Sequence, residues 1–162
     1  MEQRILIIKL FVFVFFLFLN NNILSAETIK GHAKIIDGDT IHIGKYKIRL
    51  HGIDAPEIKQ TCTINEKKWN CGIKSKEYLI KFISNHIVNC KIIDKDRYNR
   101  LIGICFVNYK NINQYIVKNG WAIAYRYYSN DYIKEEEIAK KNQSGVWKGK
   151  FEEPYLFRKK NN

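Results

Sequence analysis

The sequence predicts an α+β fold that is mainly β, a closed barrel of five short strands with three helices outside it. Alternating polar and apolar residues form three short segments before residue 54 and two more between residues 87 and 107, and such alternation is typical of half-buried strands. A helical repeat of apolar residues separates the two groups, and two more helical repeats follow them. A length of 162 residues leaves room for one domain.

The first three strands are predicted at residues 28–36, 40–43 and 46–53. Asp37-Gly38-Asp39 and Gly44-Lys45 separate them, and glycine beside such residues marks a tight turn. Alternation in the third strand places its apolar residues on one face and Arg49 on the other. The strands therefore form a meander, which ends at Asp54-Ala55-Pro56.

The second group of strands is predicted at residues 87–94 and 101–107, with residues 95–100 as a polar loop between them. A helix is expected before this group, from Gly72 to about Asn85, because apolar residues recur there on one helical face. Residues 58–71 lack a clear period and are expected to form an irregular loop.

Two shorter helical repeats follow the fifth strand, at residues 112–119 and 131–142. Acidic Asp131 lies near the start of the second repeat, as the helix dipole prefers, and residues 135–137 are expected on its solvated face. The chain is basic from Phe151 onward, and we expect its end, residues 159–162, to fray. Five strands in the order three, helix, two suit the OB-fold, a barrel whose face binds oligonucleotides.

Residues 1–26 are predicted to be a secretory signal peptide. Two basic residues accompany an apolar run from Ile5 to Leu19, and polar and then small residues follow it. This order is typical of a signal peptide, and the run is shorter than the roughly 20 apolar residues that a spanning helix needs. An uncleaved membrane anchor is the alternative. We therefore expect an exported protein, secreted or periplasmic, whose single domain covers residues 27–162.

The predicted mature segment is strongly basic. Without residues 1–26 the chain keeps 26 Lys and Arg against 15 Asp and Glu, a formal net charge of +11. Such a charge attracts polyanions, although scattered lysines also occur on ordinary solvated surfaces. It favours DNA and RNA as partners. No stable protein partner is implied, a monomer is expected, and membrane contact is expected only if the signal segment stays uncleaved.

Four cysteines lie after the signal segment. An even number in an exported chain suggests two disulfides, and four cysteines permit three pairings. We favour Cys62–Cys71 and Cys90–Cys105, since each closes a short loop. The second pairing would place Asp94 opposite Leu101 in a hairpin, with the polar loop at its end. A four-cysteine zinc site is the rival interpretation, but the chain has no Cys-x-x-Cys pair.

Acidic residues and arginines recur in three short motifs: Asp37-Gly38-Asp39-Thr40, Arg49 followed by Asp54-Ala55-Pro56-Glu57, and Asp96-Arg97-Tyr98-Asn99-Arg100. Taken singly, each is ordinary turn chemistry. Taken together, carboxylates can hold a hard cation and arginines can hold a phosphate by paired hydrogen bonds. A metal ion and two arginines can promote attack on a phosphodiester. The motifs therefore favour a nuclease.

The three motifs, in this order, resemble those of the staphylococcal nuclease (thermonuclease) family, in particular its exported bacterial members with added cysteines. The resemblance covers about Thr28 to Trp147. It implies an OB-fold barrel with three helices. It also implies a Ca²⁺-dependent hydrolase that cuts DNA and RNA with little sequence preference and leaves 3′-phosphate ends.

The same resemblance implies roles for individual residues. Asp39 and Asp54 match the calcium carboxylates, and Ala55 stands where the family offers a backbone carbonyl to the metal. Thr40 and Asp37 match positions that support the metal and its waters.

Glu57 matches the family's catalytic glutamate, which accepts a proton from the attacking water. Arg49 and Arg100 match the two arginines that hold the phosphate. Positions that line the nucleotide pocket are matched by Arg97, Tyr98, Tyr125 and Tyr127.

Two features depart from the family pattern. Asn99 replaces the glycine usual between the tyrosine and the arginine, and Asn is the side chain that best tolerates the positive φ that glycine implies there. The 58–71 segment is longer than in the shortest members, which leaves substrate preference open. A catalytically silent OB-fold protein that binds nucleic acid remains the alternative function.

Overall fold

A computed structural model describes residues 27–161 of the chain. The predicted signal peptide lies outside these residues. Among the helices in the described range, none is long and apolar enough to cross a membrane.

The described chain forms eleven short strands, four α-helices and one 3₁₀ turn. The strands are β1 Thr28–Gly31, β2 Ala33–Ile35, β3 Thr40–Ile43, β4 Tyr46–Leu50, β5 Ile53–Asp54, β6 Cys62–Ile64, β7 Lys67–Trp69, β8 Val88–Lys95, β9 Leu101–Val107, β10 Lys110–Asn111 and β11 Ile123–Ala124. The helices are α1 Cys71–Ile83, α2 Ile112–Lys118, α3 Ile133–Lys141 and α4 Pro154–Asn161, and the 3₁₀ turn is Gly145–Lys148.

Seven strands form one sheet that curls into a nearly closed barrel. Its strand order is β1-β8-β9-β4-β3-β2, with β10 beside β9. The two ends of this path, β1 and β2, are separated in sequence by His32 alone, so one continuous segment joins both edges of the sheet. The predicted first strand is therefore two strands with different partners, because the chain must bend where the barrel closes.

The barrel interior and the inner faces of α1 and α2 form the main core. Ile41 and Ile48 come from the barrel, Leu79 from α1 and Ile116 from α2, and all four are fully buried. These residues lie on the apolar faces that the alternating and helical patterns predicted. The mainly β α+β prediction is confirmed, and residues 27–161 contain four α-helices where three were expected.

The 58–71 segment was expected to be irregular, and this prediction is wrong. It contains the hairpin of β6 and β7, whose two-residue turn is Asn65-Glu66. Both turn residues have positive φ, 47° and 65°, as a type I′ hairpin turn requires. The Cys62–Cys71 disulfide links this hairpin to the first residue of α1.

The second predicted disulfide, Cys90–Cys105, is also present and joins paired residues of β8 and β9. The register expected beyond it is wrong by one residue. A bulge between Ile92 and Asp94 makes Lys95, not Asp94, the partner of Leu101. The extra residue is accommodated because a bulge lets two residues of one strand oppose one residue of the other.

Residues 159–162 were expected to fray, but residues 159–161 are the end of helix α4. Pro154 is buried at its first position, where the missing N–H and fixed φ of proline suit a helix start. Residues 135–137 were expected on a solvated helix face, and this prediction is wrong in part, because Glu136 of α3 is 1% exposed.

Candidate active site

Two buried carboxylates lie where the turn after β2 meets the end of β5. Asp39 is 3% exposed and Asp54 is fully buried. The Leu50 N–H donates to the Asp39 carbonyl over 2.8 Å, and Asp54 is held in β5 opposite Ile123 of β11. Three separate parts of the chain thus converge on one acidic site.

Gly38 and Gly72 allow helix α1 to pack against this acidic region. A Cβ at Gly38 would collide with the Ser75 side chain, and a Cβ at Gly72 would collide with the Glu57 carbonyl. The Ser75 hydroxyl is itself fixed, donating to the Trp121 carbonyl over 2.6 Å. The backbones of the two acidic segments therefore pack closely against helix α1.

Arg49 joins the two buried carboxylates. Its Nη1 donates to Asp39 Oδ1 over 2.7 Å and its Nη2 to Asp54 Oδ1 over 2.8 Å. Burial disfavours the charge of Arg49, but the charges of Asp39 and Asp54 outweigh this effect and raise its pKa. Burial also raises the pKa of Asp54, which the guanidinium groups of Arg49 and Arg158 oppose.

Arg158 of α4 completes the cluster, and the motifs gave no indication of it. Its Nη1 donates to Asp54 Oδ1 over 2.8 Å and to Glu57 Oε1 over 2.7 Å, and its Nη2 donates to Asp54 Oδ2 over 3.1 Å. In the sequence, Pro154 is a helix-start signal from which α4 could have been expected. No sequence signal places Arg158 beside Asp54.

The cluster carries a surplus of negative charge. Asp37, Asp39, Asp54 and Glu57 are four carboxyl groups, and Arg49 and Arg158 are the two cations bonded to them. Burial, followed by the negative charges of Asp39 and Glu57, raises the pKa of Asp37 to about 7. An excess of carboxylates over arginines is an environment that favours an added cation.

The oxygen donors fit a hard cation such as Ca²⁺. Asp39 accepts hydrogen bonds from Thr40 Oγ1, Arg49 and the Ala55 N–H, and Asp54 accepts three from its two arginines. A carboxylate has about four acceptor positions. The bonds formed within residues 27–161 therefore leave each aspartate one position, on Oδ2.

The side chains of the described residues do not by themselves form a complete metal-binding site. Within residues 27–161, no group of three or more His, Cys, Asp or Glu side chains is arranged to hold a metal ion. A cation bound by Asp39 and Asp54 would need further oxygen ligands, such as the Ala55 carbonyl, water and a substrate phosphate. Asp37 supports the loop, since its Oδ1 accepts the Asp39 N–H over 3.0 Å.

The 96–100 segment forms the hairpin end between β8 and β9, as predicted. Asp96 accepts the backbone N–H groups of Tyr98 and Arg100, both over 2.9 Å, and an Arg100 side-chain bond of 2.7 Å. These bonds to Arg100 and Tyr98 outweigh burial and lower the pKa of Asp96. Asn99 has a φ of 62°, so the expected positive φ is confirmed.

Arg100 bonds to Asp96 rather than to a carboxylate of the buried cluster. Its strand neighbour Ile102 pairs with Arg49 across β9 and β4, and residues two apart along a strand share a face. Arg100, which immediately precedes β9, therefore lies toward the same face of the sheet as Arg49.

Tyrosines line an open pocket of about 230 Å³ beside Asp54. Tyr125 and Tyr127 border it, their ring centroids lying 6.3 Å apart, and α4 contributes Tyr155. Tyr127 is 81% exposed, which suits stacking on a base. Arg97 and Tyr98 lie elsewhere, at the β8–β9 hairpin, where the Arg97 guanidinium covers the Tyr98 ring at 4.9 Å.

Comparison with known proteins identifies the family of this chain. The family model described as staphylococcal nuclease homologue matches residues 47–149. The chain belongs to this family. The resemblance inferred from the three motifs is thereby confirmed.

Several curated proteins are similar to this family member. It is 35% identical to a succinoglycan biosynthesis protein of Rhizobium meliloti over 130 residues, covering 76% of this chain and 67% of that protein. It is 36% identical to an uncharacterized endonuclease of Haemophilus influenzae over 121 residues, covering 70% and 63%. It is 32% identical to the endonuclease YhcR of Bacillus subtilis, covering 77% of this chain but 12% of that protein.

Proposed function

We propose that this protein is an exported, Ca²⁺-dependent nuclease that hydrolyses phosphodiester bonds of DNA and RNA with little sequence preference and leaves 3′-phosphate ends. The observation that carries the proposal is the buried pair Asp39 and Asp54, which Arg49 bridges. Arg158 in turn joins Asp54 to Glu57. Membership of the nuclease family and the two relatives named as endonucleases support the proposal.

Asp39 and Asp54 would hold Ca²⁺, together with the Ala55 carbonyl. When bound, the ion supplies positive charge to a non-bridging phosphate oxygen and to the attacking water. Arg49 uses two of its five N–H donors on the aspartates. Its remaining donors can bind the phosphoryl oxygens as negative charge develops on them.

Glu57 serves as the general base in this account. Its Oε1 is held by Arg158, and the side chain is 32% exposed, so a water molecule can reach Oε2. Glu57 takes a proton from the water, the water oxygen bonds to phosphorus and the bond from phosphorus to O5′ breaks. The departing O5′ oxygen takes a proton from solvent and leaves as a 5′-hydroxyl group. Arg100 can hydrogen bond to the phosphate and the departing oxygen, and Tyr125 and Tyr127 can stack on the nucleotide.

Two features of the chain support export. Residues 1–26 have the order of a signal peptide. Both disulfides form, and such bonds persist in oxidising compartments outside the cytoplasm.

A cleavage assay tests the function. The oxidised protein would be incubated with plasmid DNA and with RNA in Ca²⁺, in Mg²⁺ and in chelator, and the ends of the products would be analysed. We expect degradation of both substrates in Ca²⁺, none in chelator, and 3′-phosphate ends. Tight binding of nucleic acid without cleavage in either metal would contradict the proposal and indicate a silent binding protein.

A further inference from the structure

Helix α4 is attached so that one of its residues reaches the acidic cluster. The Gln60 side chain donates to the Glu152 carbonyl over 2.6 Å just before the helix, and Pro154 is buried at its start. Arg158 follows Pro154 by four residues, so the two lie on the same helical face. The anchored end of α4 thus directs Arg158 at Asp54 and Glu57.

Arg158 holds the carboxylates of Asp54 and Glu57 without occupying all of their hydrogen-bond acceptor positions. It occupies two acceptor positions of Asp54, whose third position is taken by Arg49. It contacts Glu57 through Oε1. Asp54 therefore keeps one acceptor position for a cation, and Glu57 keeps Oε2 for a water molecule. The number of free acceptor positions therefore allows Arg158 to stay bound while a cation and a water molecule occupy the site.

Arg158 also restricts rotation of the Glu57 side chain. The backbone of Glu57 is fixed, because its N–H donates to Gln60 Oε1 over 3.1 Å and its carbonyl accepts the Gln60 N–H over 2.7 Å. The partly exposed side chain has Arg158 as its ion-pair partner within the described chain. A freely rotating glutamate would spend less time in reach of the water that it must deprotonate.

We propose that Arg158 is a positioning residue of the active site, which holds Glu57 and Asp54 in their working orientation from the C-terminal helix. The proposal rests on the proposed nuclease function. The planar guanidinium suits the task because it can bridge two carboxylates, whereas a lysine ammonium acts as one point of charge. The contact belongs to the enzyme in its active state and is not a block that the metal must remove.

The test compares Arg158→Lys, Arg158→Met and Arg158→Ala with Lys159→Met, a substitution at the exposed next residue of α4. For each full-length oxidised protein, kcat and KM are measured on a defined oligonucleotide. Ca²⁺ affinity is measured separately by calorimetry without substrate, and folding is checked by thermal unfolding. Arg158→Ala is also assayed with added guanidinium ion, which can refill the space left by the side chain.

We expect kcat to fall about 10–100-fold in Arg158→Met, the scale that a misplacement of about 1 Å can produce. KM should change less than about 3-fold on the same argument, because orientation rather than substrate affinity is lost. Arg158→Lys should lie in between, guanidinium should restore part of the activity of Arg158→Ala, and Lys159→Met should match the wild type. Ca²⁺ affinity of Arg158→Met should be equal to or stronger than that of the wild type, because loss of a cation beside Asp54 increases the excess of negative charge.

Three results would overturn the proposal while leaving the nuclease function intact. A rise in both Ca²⁺ affinity and kcat in Arg158→Met would show that Arg158 blocks the metal. A rise in KM at constant kcat would show that it binds substrate. Wild-type kinetics in Arg158→Met would show that it has no part in turnover. Failure of the proposed function itself would look different, since the wild type would then not cleave in Ca²⁺.

Discussion

At the scale of single residues, the position of Arg49 follows from strand register. Thr40 pairs with Arg49 across β3 and β4, so the arginine lies next to Asp39, which precedes Thr40. Its side chain then reaches Asp54 as well. The β3–β4 pairing thus aligns Arg49 with the first acidic motif, and the second motif joins the site through Asp54, which lies in β5 opposite β11.

Removal of either arginine proposed to bind phosphate should reduce turnover but should affect stability differently. We expect Arg49→Ala and Arg100→Ala each to lower kcat about 10²–10³-fold, as loss of one electrostatic donor does. Arg49→Ala should also lower the melting temperature, since it leaves two buried carboxylates poorly paired. Arg100 lies at a hairpin end with Asp96, so its loss should leave the melting temperature almost unchanged.

Steady-state kinetics and calorimetric melting check this pair of variants. Lys95→Ala, at an exposed position of the same hairpin, is the control and should behave as the wild type. Near-normal turnover in Arg100→Ala would remove that residue from the mechanism.

At the scale of elements, a buried glutamate joins α3 to the wall of the tyrosine-lined pocket. Glu136 accepts the Ala124 N–H of β11 over 3.1 Å and bonds to Arg126 and Lys140 over 2.6 and 2.7 Å. Ala124 precedes Tyr125, so these bonds fix the start of the tyrosine segment. This role was missed from the sequence because residues 135–137 were treated as one solvated group, whereas Glu136 is buried and Glu137 is exposed.

Glu136→Ala should destabilise the protein by about 1–3 kcal/mol, because the buried Ala124 N–H loses its partner. The two basic partners are nearly half exposed and should add little. Urea denaturation measures the change. Glu137→Ala, at an exposed neighbouring position, should stay within about 0.5 kcal/mol of the wild type, and equal losses in the two variants would contradict the account.

Glu136 should also contribute to acid lability. Burial raises its pKa, but the hydrogen bonds and charges of Arg126 and Lys140 outweigh this effect and lower it. A lowered pKa stabilises the fold above the unfolded value of about 4.3, and this contribution disappears as the pH falls through the folded value. Melting temperatures between pH 7 and pH 3 should therefore fall less steeply in Glu136→Gln than in the wild type.

Some elements could be predicted from the sequence, and others could not, for identifiable reasons. Asn99 was expected at positive φ because it replaces a glycine of the resembled family, and the structure agrees. The β6–β7 hairpin was missed because Glu66 occupies a positive-φ turn position where glycine is the usual signal. The β8 bulge was missed because alternation in the sequence does not reveal an inserted residue.

The candidate site also contains residues that could be predicted from the sequence and one that could not. The motifs indicated Asp39, Asp54, Glu57 and Arg49, and the structure brings all four together. Arg158 lies 101 residues after Glu57 in sequence and belongs to no motif. Only the docking of α4 reveals its contact, because pairing between distant side chains depends on tertiary structure.

At the scale of the whole molecule, two disulfides reinforce a small barrel at different places. Cys62–Cys71 ties the hairpin to α1 beside Trp69 and Val146, and Cys90–Cys105 lies within the main core. Their loops span 9 and 15 residues. Each disulfide reduces the conformational entropy of the unfolded chain and thereby stabilises the folded state.

Loss of either disulfide should reduce stability. Replacing both cysteines of one pair by alanine should cost about 3 kcal/mol for each pair in the loop-entropy account. Urea denaturation of the oxidised proteins measures it. The Cys62–Cys71 variant should keep its barrel core, so Ca²⁺-dependent cleavage should persist at low temperature. Unchanged stability in both variants would contradict the role assigned to the bonds.

The measurement that tests the central claim most directly is turnover of Glu57→Gln in Ca²⁺. The substitution keeps the size of the side chain and removes its capacity as a base. We predict that kcat falls about 10²–10⁴-fold, while Ca²⁺ affinity, DNA binding and melting temperature remain close to those of the wild type. Glu77→Gln, in an exposed ion pair on α1, is the control and should keep full activity. Wild-type turnover in Glu57→Gln would contradict the assignment of this site as the nuclease centre.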